Sequence, residues 1–184
     1  MRKVVSHTFV TLDGVGAPDA VIDEIVALRG SKEVLDDFFG KMAEEDAMLL
    51  GRVTYEEWAG HWPSSDNEPF ASHINGVPKY VFSSSLEAAP WGDGSATVAR
   101  DLAATVTELK EQPGGNIGVH GSLSLVEALL HADLLDKMRI ELYPVIAGTG
   151  KRLFNDGAAP KNLRLADSQI TSNGVAMLTY ERAA

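Results

Sequence analysis

The order of elements predicts an α/β chain: a mostly parallel sheet flanked by helices, with an antiparallel hairpin at the C-terminus. Two observations carry this. As far as His131, β-forming runs alternate with helical patterns, the order of parallel strands joined by crossover helices. Beyond that point strands follow one another, and Asn173-Gly174 lies between two of them, a strong hairpin signal. A chain of 184 residues fits one domain, residues 1–184. At that size it buries roughly 70% of its unfolded surface.

The elements follow in order. Lys3 to Val10 reads as a strand, with Val4, Val5, Phe9 and Val10 as β-formers. Leu12 to Asp19 reads as a loop punctuated by Gly and Pro, and residues 20–30 fit no clear pattern. Val34, Leu35, Phe38, Phe39 and Met42 give Ser31 to Glu45 a helical period. Ala47 to Leu50 is a short buried strand, and Thr54 with Glu57 three residues on reads as a helix cap. A long surface segment follows, with a short helix expected near Phe70 to Ile74. Strands are expected at Lys79–Ser83, Ser95–Ala99 and Asn116–Val119. Asp101 is a good N-cap for a helix carrying Leu102, Val106 and Leu109. A further helix runs from Ser122 to His131, a strand lies within Leu134–Leu142, and Pro144 to Gly150 is a loop. Leu163–Ile170 and Ala176–Glu181 form the closing pair.

Composition removes several classes of function. The net charge is -10, which disfavours nucleic acid as a partner, because phosphate neutralisation needs clustered Lys and Arg. Cysteine is absent, so there is no disulfide frame or thiolate nucleophile. No apolar run approaches the ~20 residues that span a bilayer, and Met1 to His7 is too polar for a signal peptide. The expectation is a cytoplasmic protein without a membrane partner. The five histidines are dispersed, and none pairs at ligand spacing, so no metal is expected. Asp36-Asp37 and Glu44-Glu45-Asp46 read as solvated helix faces, and Trp58, Trp62 and Trp91 as packing groups.

Two motifs carry chemistry. In Ile117-Gly118-Val119-His120-Gly121-Ser122-Leu123 an apolar run ends in a Gly-Ser turn and a helix begins. Unpaired N–H groups and the positive end of the helix dipole then face one spot, suited to an anion. Leu50-Gly51-Arg52-Val53-Thr54 repeats the device, and Arg52 adds a fork suited to a phosphate monoester. Ser83-Ser84-Ser85 adds hydroxyl donors at a third strand end. Each alone also reads as an ordinary turn; together they suit a dinucleotide. There is no G-x-G-x-x-G fingerprint, and Gly148-Thr149-Gly150-Lys151 lacks the first Gly of a phosphate loop, since Val145 stands there.

These segments resemble a known family. Thr11-Leu12-Asp13-Gly14, Leu50-Gly51-Arg52-Val53-Thr54-Tyr55-Glu56-Glu57-Trp58, Lys79-Tyr80-Val81-Phe82-Ser83, Val119-His120-Gly121-Ser122 and Pro144 to Phe154 look like the dihydrofolate reductase fold, a three-layer αβα architecture. The branch most resembled is the reductase domain of the riboflavin-biosynthesis deaminase–reductase. The resemblance implies NADPH-dependent reduction of a small heterocyclic substrate. It assigns Gly51, Arg52, Val53, Thr54, Ser83 and Ser84 to the adenosine side and its 2'-phosphate. It assigns Gly118, Gly121, Ser122 and Leu123 to the pyrophosphate. Leu12-Asp13-Gly14 would border nicotinamide and substrate, with Asp13 as the candidate catalytic acid; Asp13 also reads as a turn aspartate. The helix position that is acidic in dihydrofolate reductase falls on Leu35, with Asp36 one place away, which argues against folate reduction. Where the riboflavin enzyme often has Glu-Gly-Gly, this chain has His120-Gly121-Ser122. A true dihydrofolate reductase and a non-catalytic nucleotide-binding protein remain the alternatives. The resembled branch is commonly dimeric, and the β-rich C-terminal third offers edges for a homodimer.

Overall fold

The computed structural model describes residues 1–155 and 160–183. Its strands are β1 (Val4–Thr11), β2 (Val15–Ala17), β3 (Glu45–Gly51), β4 (Lys79–Phe82), β5 (Ala89–Trp91), β6 (Gly94–Ala99), β7 (Asn116–His120), β8 (Lys137–Tyr143), β9 (Lys151–Arg152), β10 (Leu163–Ile170) and β11 (Ala176–Arg182). Its α-helices are α1 (Ile22–Arg29), α2 (Lys32–Met42), α3 (Arg52–Ala59), α4 (Phe70–Gly76), α5 (Leu102–Glu111) and α6 (Leu123–His131). Among the described residues the main sheet runs β10-β11-β8-β1-β7-β3-β4-β6-β5. β8, β1, β7, β3, β4 and β6 are mutually parallel, while β11 and β5 run against them.

The pleat of β3 shows why the fold has three layers. Side chains alternate between the faces of a strand. Leu49 packs with Val106 and Leu109 of α5 and Leu125, Val126 and Leu129 of α6. Its neighbours Met48 and Leu50 pack on the other face with Tyr55 of α3 and Ile74 of α4. A third cluster joins Ile25 of α1 and Val34 of α2 to Tyr143 and Met177. Helices therefore cover both faces of the sheet, as the α/β order requires.

Asp101 caps α5 as expected: its side chain accepts the Ala104 N–H at 2.9 Å. The closing pair β10–β11 is antiparallel around Asn173-Gly174, and Gly174 adopts φ +85°, a turn conformation that favours glycine. Residues 20–30, which lack a clear sequence period, form a short 3-10 turn and α1. Thr54 does not cap a helix. α3 begins at Arg52 with Gly51 as its N-cap residue, and Thr54 sits inside its first turn. β2 lies in a segment that reads as a loop, and β9 directly follows another. They pair with each other, apart from the main sheet.

Candidate active site

Two hollows open at the C-terminal ends of the parallel strands, the usual place for ligands in open α/β sheets. The first is a groove of about 580 Å³ between the starts of α3 and α6. Gly51, Arg52, Val53, Thr54, Ser83, Ser84, Gly121, Ser122 and Leu123 all line it. One hydroxyl joins its two glycine turns. Ser122 Oγ accepts the Gly51 N–H at 2.9 Å and donates to Thr54 Oγ1 at 2.9 Å. Neither α3 nor α6 has a side-chain cap, so the first N–H groups of both helices remain available. Gly121 has φ +64°, and a Cβ there would stand 3.4 Å from Thr54 Cγ2.

The charges in the groove are partly engaged. Arg52 donates to Glu56 on its own helix at 2.7 and 2.9 Å. Arg100, absent from the sequence reading, also lines the groove. Its guanidinium donates to the carbonyls of Ser83 and Leu86, fastening the Ser turn. Its place directly after β6 was the available signal, since residues following parallel strands face the ligand side.

The second hollow is a cavity of about 460 Å³ lined by Phe9, Phe38, Trp58, Trp62 and Phe70, with Arg29, Asp19 and Glu57 among its polar groups. Trp58 and Trp62, expected only to pack, also line this cavity. Ala17, Thr54, Glu57, Gly121 and Leu123 border both hollows, so the groove and the cavity adjoin.

On the cavity wall lies a group that the sequence did not reveal. His7 ends up beside His120 because β1 and β7 are parallel neighbours with His7 and His120 in register. The two rings stack at 4.8 Å and 7°. Behind them is Glu45, only 5% exposed, although it reads as part of a solvated acidic run. Its Oε2 lies 2.7 Å from His120 Nε2. Its Oε1 lies 2.6 Å from His7 Nε2, in contact but out of line for a hydrogen bond. Burial pushes the Glu45 pKa up, yet the charge and hydrogen bond of His120 and the contact with His7 outweigh it, so the carboxyl is held well below its usual range. Burial is also the main cause that lowers His7, to about 4.

Two residues assigned by the resemblance are placed elsewhere. Gly118 is not at the turn. It lies inside β7, on the same face as His120 two residues on, and the space a side chain would fill is occupied by the Glu45 carboxylate. Asp13 lines neither hollow. Its carboxylate accepts from Thr11 Oγ1 at 2.5 Å and from the N–H groups of Ala147 and Gly148 at 3.1 and 2.8 Å. These bonds, that of Thr11 first, lower its pKa to about 2. An acid ionised at neutral pH and fully bonded to a neighbouring loop has no proton to give. Residues slightly further along, Gly16 to Asp19, border the cavity instead of Leu12 to Gly14. On α2 it is Phe38 and Met42 that line the cavity, while Asp36 pairs with Lys32 on the exposed side.

The mixed, mostly parallel sheet covered by helices on both faces has the dihydrofolate reductase-like fold. The sequence matches the RibD C-terminal domain over residues 2–177, and the chain belongs to that family. The uncharacterised protein YwjB of Bacillus subtilis (strain 168) is 30% identical over 99% of both chains. Among solved structures, a protein of Shewanella sp. PV-4 provisionally linked to riboflavin biosynthesis superposes with a TM-score of 0.79 at 20% identity, covering 100% of each chain. The deaminase/5-amino-6-(5-phosphoribosylamino)uracil reductase of Thermotoga maritima gives 0.68 at 15% identity, over 99% of this chain and 57% of that one. Dihydrofolate reductase from Enterococcus faecalis, complexed with NADP(H), gives 0.63 at 13% identity, over 99% and 97%. Family and fold together support a reductase-type function.

Proposed function

We propose that the protein is an NADPH-dependent reductase of a small heterocyclic substrate. The observation that carries this reading is the junction of the two hollows at Ala17, Thr54, Glu57, Gly121 and Leu123. A long groove with two uncapped helix starts suits a dinucleotide, and the aromatic cavity at its end suits a flat acceptor. The residues present fit the cofactor. Gly121 leaves the backbone open at positive φ, the starts of α3 and α6 would hold the pyrophosphate, and Arg52 with Ser83 and Ser84, which line the same groove, would hold the 2'-phosphate. When bound, NADPH supplies a hydride; the protein supplies position, dryness and a proton. The acceptor resembles the aminouracil handled by the riboflavin reductases. A cytoplasmic location accompanies this reading.

The test is NADPH oxidation by the purified chain across a panel of pterins, aminopyrimidines and carbonyl compounds. Turnover of an aminopyrimidine or related heterocycle supports the reading. NADPH binding without oxidation of any acceptor makes the chain a nucleotide-binding protein instead. Dihydrofolate turnover at an ordinary enzyme rate of about 1–1000 per second makes it a true dihydrofolate reductase, against the outward position of Asp36.

We also propose a homodimer through the edge at β10, which has no strand beyond it among the described residues. Leu165 and Ile170 are 47% and 68% exposed there, and open strand edges are usually covered.

A further inference from the structure

Reduction by hydride leaves an electron pair on the acceptor, and a proton has to meet it. Asp13 cannot supply that proton. Asp19 and Glu57 lie exposed at the rim of the cavity, and Arg29 is engaged with Glu141 at 3.5 Å. The groups left on the cavity wall are the two imidazoles of His7 and His120.

Resting on the reductase reading, we propose that His120 is the general acid of the reaction, held by Glu45 and stacked on His7. An ionised carboxylate only accepts hydrogen bonds. The contact of Glu45 Oε2 with His120 Nε2 at 2.7 Å therefore fixes a proton on Nε2 and turns the other ring nitrogen, Nδ1, into the working atom. Among the described residues Nδ1 of His120 has no protein hydrogen bond, and it is not one of the buried atoms left unpaired. The ring itself lines the cavity. Trp58 and Phe38 stand 6.2 and 6.0 Å from the same ring, so a planar acceptor stacked on them lies beside His120.

The step balances. NADPH, when bound, would give up a C–H bond as hydride and leave as NADP⁺; the acceptor's C=N or C=O carbon would take the hydride, and its π electron pair would move to the heteroatom. That atom takes the proton from Nδ1–H of the imidazolium. The N–H bond's electron pair stays on Nδ1, and water restores the proton afterwards. Glu45 stabilises the imidazolium before transfer and stays ionised throughout. His7 is stacked on the His120 ring at 4.8 Å and closes that face of it. The other charged or titratable groups around the triad are Arg139 of β8 and His73 of α4.

The same three residues also have the composition of a metal site, with their ligand atoms within 4.8 Å of one another. The geometry points away from one. A ligating nitrogen lone pair lies in its ring plane. The His7 and His120 planes are parallel and stacked, so an ion in one plane lies outside the other.

The test has two arms. In the first, imidazole nitrogens of the full chain are followed by NMR through a pH titration, without any acceptor. The expected result is a His120 ring that, when neutral, carries its proton on Nε2, and loss of that fixed tautomer in Glu45→Gln. A neutral His120 ring with its proton on Nδ1 overturns the proposal. So does retention of one Zn²⁺ per chain at micromolar concentration in equilibrium dialysis. In the second arm, NADPH affinity and oxidation are measured with the acceptor panel. His120→Gln is expected to keep the NADPH dissociation constant within about twofold while lowering kcat by roughly 10²–10⁴. Unchanged kcat overturns the assignment of His120 alone. No oxidation by the unmutated chain overturns the reductase reading and the transfer step together, while the first arm still reads the triad's protonation. If His120→Gln fails to fold, Glu45→Gln gives the same comparison through loss of the carboxylate that holds the ring.

Discussion

The Glu45 carboxylate occupies the space that any side chain on Gly118 would need. The two residues lie on adjacent parallel strands, and the pairing of β3 with β7 slips between Glu45 and Ala47. Glu45 reaches along β7 across the gap at Gly118 to meet His120. The glycine is there for volume, since its backbone is an ordinary strand.

Gly118→Ala follows from this. In a plain strand the change is mildly stabilising, since glycine weakens strand interiors. Here the methyl group displaces a buried carboxylate from its partners, at a cost of about 3 kcal/mol or more. Thermal unfolding is expected to drop by roughly 6–12 °C for a chain of this size. An unchanged or raised midpoint rejects the packing argument.

Arg52→Ala tests cofactor choice. NADPH is expected to bind more tightly than NADH, since charge-assisted contacts to a 2'-phosphate are worth roughly 1.5–3 kcal/mol each. In this structure Arg52 is bonded to Glu56, so Glu56→Gln is expected to widen the preference and Arg52→Ala to remove most of it. Calorimetry with both cofactors is the measurement, and equal affinities in the unmutated chain sink the assignment.

Gly121→Val tests the pyrophosphate turn. A β-branched residue is strained at φ +64° and blocks close approach to the backbone. Both NADPH and NADH are expected to weaken by about the same factor. Circular dichroism first establishes that the variant is folded; normal affinity in a folded variant makes the turn merely structural.

Acid stability depends on the triad. His7 has a folded pKa lowered to about 4, against ~6.5 when unfolded. The unfolded chain therefore binds the extra proton first. The stability associated with neutral His7 is present above ~6.5 and is lost as pH falls towards 4, amounting to roughly 3 kcal/mol. Glu45, whose folded pKa is also lowered, adds a further loss in the same direction at lower pH. Denaturant midpoints are expected to fall across this window, and His7→Gln to flatten its upper part. A flat profile in the unmutated chain contradicts the burial of neutral His7.

Light scattering at micromolar concentration tests the β10 edge. A dimer gives twice the 19.7 kDa of one chain, and Ile170→Lys is expected to weaken it. A single-chain mass for the unmutated protein rules out the homodimer.

The groove was legible in the sequence and the triad was not, for a physical reason. Gly51 to Thr54 and Gly121 to Leu123 are local devices: a strand, a glycine and a helix start lie within a few residues of one another. Their meeting through Ser122 Oγ needed only that β3 and β7 be neighbours. His7, Glu45 and His120 carry no such local mark. They converge through the order of β1, β7 and β3 and through a missing side chain at Gly118. Glu45 was hidden further by Glu44 and Asp46, which made it look like one more solvated acid. Asp13 failed in the opposite way. Its motif was visible, but its partners Ala147 and Gly148 lie far along the chain, and they turn it from an acid into a fastening.

That fastening has a consequence for anyone who would redesign the cavity. Asp13 clasps Ala147 and Gly148, Arg152 donates to the Asp13 carbonyl, and β2 pairs with β9. The rim formed by Gly16 to Asp19 is thus moored to the segment from Val145 to Arg152. Grafting a relative's first loop alone would leave half of the mooring behind. A transplant of acceptor preference has to carry both segments, from opposite ends of the chain, as a single cassette.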